Sequence, residues 1–167
     1  MTVEIFNRQR TKKINARLLK QIVGDLFAEL KIEKVALGIH LVAEPEMTRL
    51  NEKFLRHAGP TDVIAFDYTG GVGLASSLSH SKISNIGGRQ DACPTVHSEI
   101  FVCVDEAVLQ ARKFGTGWQS EVVRYLVHGI LHLLGFDDTS AGARRKMKRE
   151  ENRRLREIAR RFPLSKL

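Results

Sequence analysis

His128 and His132 stand four residues apart in the run His128-Gly129-Ile130-Leu131-His132-Leu133-Leu134-Gly135-Phe136-Asp137-Asp138. In a helix, positions i and i+4 lie on one face a turn apart, so two imidazoles so placed can grip a single metal ion. Gly135 offers a helix stop, because glycine accepts the left-handed conformation that ends helices. The chain can then return Asp137 or Asp138 towards the same ion. His128, His132 and one aspartate predict a three-ligand site with one open coordination position, the arrangement of a catalytic rather than a structural zinc. A single buried histidine is usually just a hydrogen-bonded packing residue. Two on one apolar helix are harder to dismiss, because burying imidazoles without partners is costly.

The helix that carries the pair is expected at roughly 118–134. Val122, Val123, Leu126, Val127, Ile130, Leu131, Leu133 and Leu134 cover much of its circumference, which predicts a buried central helix. Upstream, residues 2–7 alternate as a short strand, and Asn15 is a plausible N-cap for a helix running to about Leu30. Val35, Leu37, Ile39 and Leu41 mark a strand over 34–43 with one buried face. Pro45 opens a short helix that ends near Arg56, and residues 61–67 and 99–104 read as two further strands. Asp105 is placed to cap a helix through about Lys113, which Gly115 ends. Residues 69–97 are rich in Gly, Ser and Asn without a period and predict a long surface loop, with His80 and His97 as solvated loop histidines. Met147, Leu155, Ile158 and Phe162 keep helical spacing in a last helix over about 141–162. The order predicts an α+β (α/β-type) fold in a single domain over 1–167, with a mixed four-stranded sheet packed by about five helices.

The charge is unevenly spread. Residues 1–140 hold 16 Lys+Arg and 16 Asp+Glu, whereas residues 141–167 hold 11 and 3, so this C-terminal segment carries the whole +8. A concentrated basic stripe is the footprint of a polyanionic partner, although a solvated helix face gives the same pattern. Arg145, Arg149, Arg153 and Arg156 are the candidate contacts to such a polyanion. No stretch reaches the length of a membrane-spanning helix, and the first residues lack the form of a signal peptide. Cys93 and Cys103 form no C-x-x-C pair and are expected as reduced thiols of a cytoplasmic chain, Cys103 as a small core residue.

The run His128–Asp138 resembles the zinc-site signature of the YbeY family of bacterial rRNA maturation factors, H-G-x-L-H-L-x-G-[YF]-D-H. Leu50-Asn51 with Phe54-Leu55-Arg56, followed by Pro60-Thr61-Asp62-Val63-Ile64-Ala65-Phe66, is similar to that family's L-N-x-x-[FY]-R … P-T-D-V-L-S-F block. Ser98-Glu99-Ile100-Phe101-Val102 is similar to its G-[DE]-I-x-[IV] strand. The resemblance implies a metal-dependent, single-strand-specific endoribonuclease acting on rRNA, including the 3′ end of the small-subunit rRNA, and in ribosome quality control. It also implies the small ribosomal subunit as partner and Arg56 as a catalytic guanidinium.

The sequence departs from that pattern at Ser98, where the family has glycine, and at Asp138, where it has a third histidine. A carboxylate is a legitimate zinc ligand, but it lowers the charge of the site and favours harder ions such as Mn²⁺ beside Zn²⁺. Asp138 holds the aligned position, and Asp137 is then expected to steady a ligating histidine. Two other classes fit less well. A zincin protease needs a glutamate after its first histidine, and this chain has Gly129 there. A ribosome-assembly factor with a structural metal and weak or no nuclease activity would tolerate the aspartate more readily.

Overall fold

The computed structural model describes residues 1–69, 74–76 and 95–167. The elements are β1 (Thr2–Asn7), α1 (Ala16–Glu29), β2 (Lys34–Val42), α2 (Glu44–Leu50), a π-helical turn (Asn51–Leu55), β3 (Val63–Asp67), β4 (Leu74–Ser76), β5 (Thr95–Cys103), α3 (Val104–Phe114), α4 (Trp118–Leu133), α5 (Ala141–Arg161) and a 3-10 turn (Leu164–Lys166). The sheet runs β1-β2-β5-β3-β4. β1, β2 and β5 are mutually parallel, while β3 lies antiparallel to β5 and β4 antiparallel to β3. The four expected strands and five α-helices are present in this mixed α+β arrangement. β4 adds three residues at one edge.

Period-two alternation assigns the two sheet faces. Val3, Val35, Leu37, Ile39, Leu41, Val63, Ala65, Ile100 and Val102 turn towards the helices and join the buried residues of α1 and α4 in one large core. The alternate residues Val42, Ile64, Phe66, Phe101 and Cys103 turn to the other face, where Met47 of α2 closes a smaller apolar cluster. Cys103 is fully buried and its thiol is pushed up to about 11 by that burial, so it is an inert packing group.

Several local expectations change. β5 begins at Thr95 rather than Glu99, so the loop expected over 69–97 contains β4 and the start of β5. Pairing with β2, from Lys34↔Thr95 onwards, makes a strand of a stretch whose sequence has no period. His97 is therefore an exposed strand residue, its ring 5.7 Å from that of Tyr68. His80 and Cys93 lie outside the described residues. Asp105 does not cap α3, whose N-cap is Cys103 without a side-chain bond. Its carboxylate instead accepts the Glu44 backbone N–H at 2.7 Å and the Thr11 hydroxyl, capping α2, whose own N-cap Ala43 has no side-chain acceptor. Asn15 caps α1 as expected, accepting from the Leu18 amide at 3.0 Å.

α4 lies on β3 and β5 at Gly129. A Cβ there would sit 3.3 Å from Cγ2 of both Ile100 and Val63, closer than ordinary van der Waals contact, so glycine sets how near the helix comes to the sheet. Any side chain after the first histidine would have to push these methyl groups aside. Gly129→Glu is expected to overpack this contact and bury an unpaired carboxylate, costing at least ~3 kcal/mol. Urea denaturation of the two proteins checks it, and unchanged stability would show that α4 can move off the sheet.

Candidate metal centre

The site begins with how α4 ends. The Gly135 N–H donates to the His132 carbonyl at 2.9 Å and the Phe136 N–H to the Leu131 carbonyl at 3.0 Å. With Leu134 as C-cap and Gly135 at φ +83°, this is the double-bonded Schellman stop. Phe136 packs against the core beyond it. The turn brings the Phe136 carbonyl to 3.1 Å from His132 Nδ1, and that contact requires the ring proton on Nδ1. The glycine that stops the helix therefore also sets the tautomer of the second histidine.

His128 is set from another element. Its Nδ1 lies 3.1 Å from Oε2 of Glu151 on α5, a carboxylate only 4 % exposed. Oε1 of the same group accepts from Arg124 Nη1 at 2.6 Å and Lys148 Nζ at 2.8 Å. With the Nδ1 protons spent on these acceptors, only the two Nε2 atoms are left to ligate, and they face each other 3.0 Å apart. Two bare lone pairs repel unless a cation or proton lies between them. Two nitrogens on one tetrahedral ion at about 2.0 Å are separated by roughly 3.3 Å, so the pair is nearly in place for one. The Asp138 carboxylate completes the group, the three ligand atoms lying within 4.8 Å of one another. The donor set fits a divalent cation.

Electrostatics agree. Burial and then the neighbouring His128 push the His132 imidazole below its ordinary value, while Asp138 and Asp137 pull the other way. The net effect keeps His132 neutral and able to ligate. Burial alone would raise Glu151, but hydrogen bonds from His128, Lys148 and Arg124 outweigh it and hold the carboxyl down to about 2. Asp137 accepts from the Thr139 backbone at 3.0 Å and from its hydroxyl, stabilising the turn after α4, and contributes charge to His132 rather than a ligand atom to the trio.

A cleft of about 730 Å³ is lined by His128, by the carboxylates Asp62, Glu106, Glu121, Asp138 and Glu151, and by Arg124, Arg144 and Lys148. Arg144 Nε donates to the Asp138 carbonyl at 3.2 Å, tying the start of α5 to the ligand turn. Arg56 is exposed and is not among the residues lining this cleft. It follows the π-helical turn in the left-handed conformation, φ +57°, a strained backbone for a non-glycine residue. The buried Asn51 amide holds the segment after it, donating to the Gly59 carbonyl at 2.7 Å. Of the four expected RNA contacts on α5, Arg145, Arg149 and Arg156 are exposed, whereas Arg153 is gripped by Glu150 at 2.6 Å and Glu157 at 3.1 Å.

Sequence reasoning missed Glu151, the Phe136 carbonyl and Asn51. Glu151 left a signal. Met147, Glu151, Arg154 and Ile158 follow the 4-3-4 spacing of a core-facing row, and all four are buried.

A His-His-carboxylate trio beside a cleft that mixes carboxylates with three cationic side chains, on a mixed α+β sheet, has the donor set of a mononuclear metal hydrolase. The comparisons narrow this class. The profile of the family described as Endoribonuclease YbeY matches residues 4–159. A protein named Endoribonuclease YbeY from Chlorobium phaeovibrioides is 30% identical over 156 residues, 93% of this chain and 90% of the relative. One of the same name from Acidothermus cellulolyticus is 35% identical over 148 residues, 88% and 85% of the two chains. The solution structure of TM1509 from Thermotoga maritima superposes with a TM-score of 0.58, covering 94% of this chain and 89% of that one, at 23% identity, and supports the fold. The chain belongs to the YbeY family of endoribonucleases, which makes it an RNA-cleaving hydrolase.

Two measurements test the support given by Glu151. Glu151→Gln is expected to lower metal affinity about 10–100-fold, read by competition with a chromophoric chelator, while circular dichroism stays unchanged. Because the folded carboxyl lies below its ordinary value, its stabilisation is complete above about 4.5 and is lost as pH falls towards about 2. In urea titrations of metal-free protein the wild type should lose more stability across that window than Glu151→Gln does.

Proposed function

We propose that this chain is a metal-dependent, single-strand-specific endoribonuclease of rRNA maturation and ribosome quality control. It acts in the cytoplasm on the small ribosomal subunit, through one domain spanning 1–167. No helix among the described residues is long and apolar enough to cross a membrane. The observation that carries the reading is the pair of Nε2 atoms 3.0 Å apart beside the Asp138 carboxylate, in a chain of the YbeY family.

His128, His132 and Asp138 would hold one Zn²⁺, or a harder ion such as Mn²⁺ because one donor is oxygen. When bound, the ion supplies Lewis acidity towards a phosphate oxygen and an acidified water. The residues of the chain do the rest. Glu151 and the Phe136 carbonyl hold both imidazoles in the ligating tautomer. The Asp138 carboxylate lowers the net charge of the site relative to a third histidine, which weakens the Lewis acid and raises the working pH of the water. Arg144 and Lys148, on the cleft wall, are placed to neutralise phosphates of the strand. Arg56 is assigned the guanidinium that pairs bidentately with the scissile phosphate, reaching it from outside the cleft lining. Its left-handed backbone closes the π-helical turn, and the Asn51 bond to the Gly59 carbonyl braces the loop that follows it.

The test is metal content by mass spectrometry on chelator-free protein together with cleavage of a single-stranded RNA. Wild type, His132→Ala, Asp138→Ala and Arg56→Ala are compared. The expected result is near one equivalent of metal in wild type, lost with cleavage in His132→Ala and Asp138→Ala. Arg56→Ala should keep its metal while kcat falls about 10²–10³-fold. Full metal retention in Asp138→Ala would remove it as a ligand and point to Asp137. A metal-free, inactive wild type that still binds RNA would replace the nuclease by an assembly factor.

A further inference from the structure

The arginines of α5 fall into two groups. Arg153, Arg154 and Arg161 are engaged: Arg153 by Glu150 and Glu157, Arg154 by Glu150 at 2.8 Å and Glu29 at 3.0 Å, and Arg161 by Asp25 at 2.7 Å and Glu29 at 3.1 Å. Arg145, Arg149, Arg156 and Arg160 are exposed, and among the described residues none of them makes an ion pair or a side-chain hydrogen bond. At 100° per residue these four fall within an arc of about 60°, in a row about 22 Å long. The buried row Met147, Glu151, Arg154 and Ile158 lies on the opposite side of the helix. The cleft-lining residues Arg144 and Lys148 lie about 90° or more around from the row.

We propose that this row is a second RNA-contacting surface, separate from the metal-side cleft, which holds the phosphate backbone of an RNA segment other than the one being cleaved. The proposal rests on the endoribonuclease reading for the identity of the polyanion. Like charges at i,i+4, as in Arg145/Arg149 and Arg156/Arg160, disfavour a helix, and here no carboxylate relieves them although α5 spends its glutamates on the neighbouring arginines and on His128. Residues 1–140 are neutral, so the field of the protein is centred on this helix. Guanidiniums pair bidentately with phosphates, and several in a row at fixed spacing match a nucleic-acid backbone without reading its sequence. Facing away from the cleft, the row cannot easily track the strand at the metal. It suits a flanking helix of a folded substrate, and it gives the protein a way to prefer structured RNA that carries a single-stranded segment over the same segment alone.

The test compares wild type with R145Q/R149Q/R156Q/R160Q on two RNAs, a short single-stranded oligonucleotide and the same sequence flanked by stems. Binding is read by fluorescence anisotropy across a KCl series, and cleavage is read separately. On the stem-flanked RNA the slope of log K against log[salt] should fall by about 3, at roughly 0.7–0.9 for each phosphate that is no longer neutralised, and the affinity should drop at least tenfold. On the oligonucleotide, affinity, kcat and KM should stay within about twofold, as should metal content. Arg153→Gln, which removes a paired arginine, should leave the slope unchanged. An equal loss on both RNAs would place the row in the path of the cleaved strand. No change on either would make it a solvated face, and binding to anionic vesicles in preference to RNA would assign a different partner. Each of these overturns the proposal. Because binding is measured apart from cleavage, failure of the nuclease reading shows as inactive wild type and does not obscure the result for the row.

Discussion

The Nε2 atoms of His128 and His132 face each other at 3.0 Å while Nδ1 of each ring is turned to an acceptor, so a proton or a cation has to lie between the two Nε2 atoms. Much of the structure serves to impose that arrangement. A hydrogen-bond acceptor behind each ring, the Phe136 carbonyl for His132 and the Glu151 carboxylate for His128, leaves only one nitrogen of each free to ligate. The two acceptors come from different places. One is delivered by the backbone turn that closes α4, and the other by a helix that follows it in sequence and packs across it. A trio held in this way could take up a divalent ion without first having to order its donors.

Placing a carboxylate behind His128 carries its own cost. Glu151 is nearly fully buried, and an isolated charge there would be strongly unfavourable. Arg124 and Lys148 meet its second oxygen and offset that penalty, so the metal centre is the end of a chain of charges running from the cleft wall to the ligand. The same device recurs further along α5. There, Glu150 and Glu157 hold Arg153, and Glu150 together with Glu29 of α1 holds Arg154. One helix thus does three jobs on different sides: it closes the core with Met147 and Ile158, supports a ligand with Glu151, and leaves four arginines to solvent.

The close contact at Gly129 links this chemistry to the fold. Because α4 lies against Ile100 and Val63, its registration on the sheet is tight, and the histidine face is fixed relative to the loop between Arg56 and Asp62 that leads into β3. The same contact disfavours a glutamate at position 129, where a helix-borne zinc protease carries its general base. Glycine there is a departure from that chemistry that suits the packing. The substitution of aspartate for the third histidine is a different kind of departure. It keeps three potential donors while changing the charge of the site, so it would adjust the Lewis acidity of an ion held there without altering the architecture.

The sequence by itself determined the elements whose information is local. The 3.6-residue period of α1, α4 and α5, the two-residue period of β2, the Asn15 cap and the Gly135 stop are all set by neighbours along the chain, and each is where the sequence puts it. The spacing of His128 and His132, and the nearness of Asp138 beyond a glycine turn, made the metal trio legible for the same reason. What depended on residues distant in sequence was decided only by tertiary structure. β5 starts four residues early because β2 is there to pair with it, and Asp105 caps α2 instead of its own helix because Glu44, 61 residues away in sequence, presents the unsatisfied amide. Glu151 stands 23 residues from His128, and no local period shows that a glutamate within a basic helix will turn inward to a histidine. A buried charge finds its partners only when the helices pack, and the sequence contains those partners without stating which will meet.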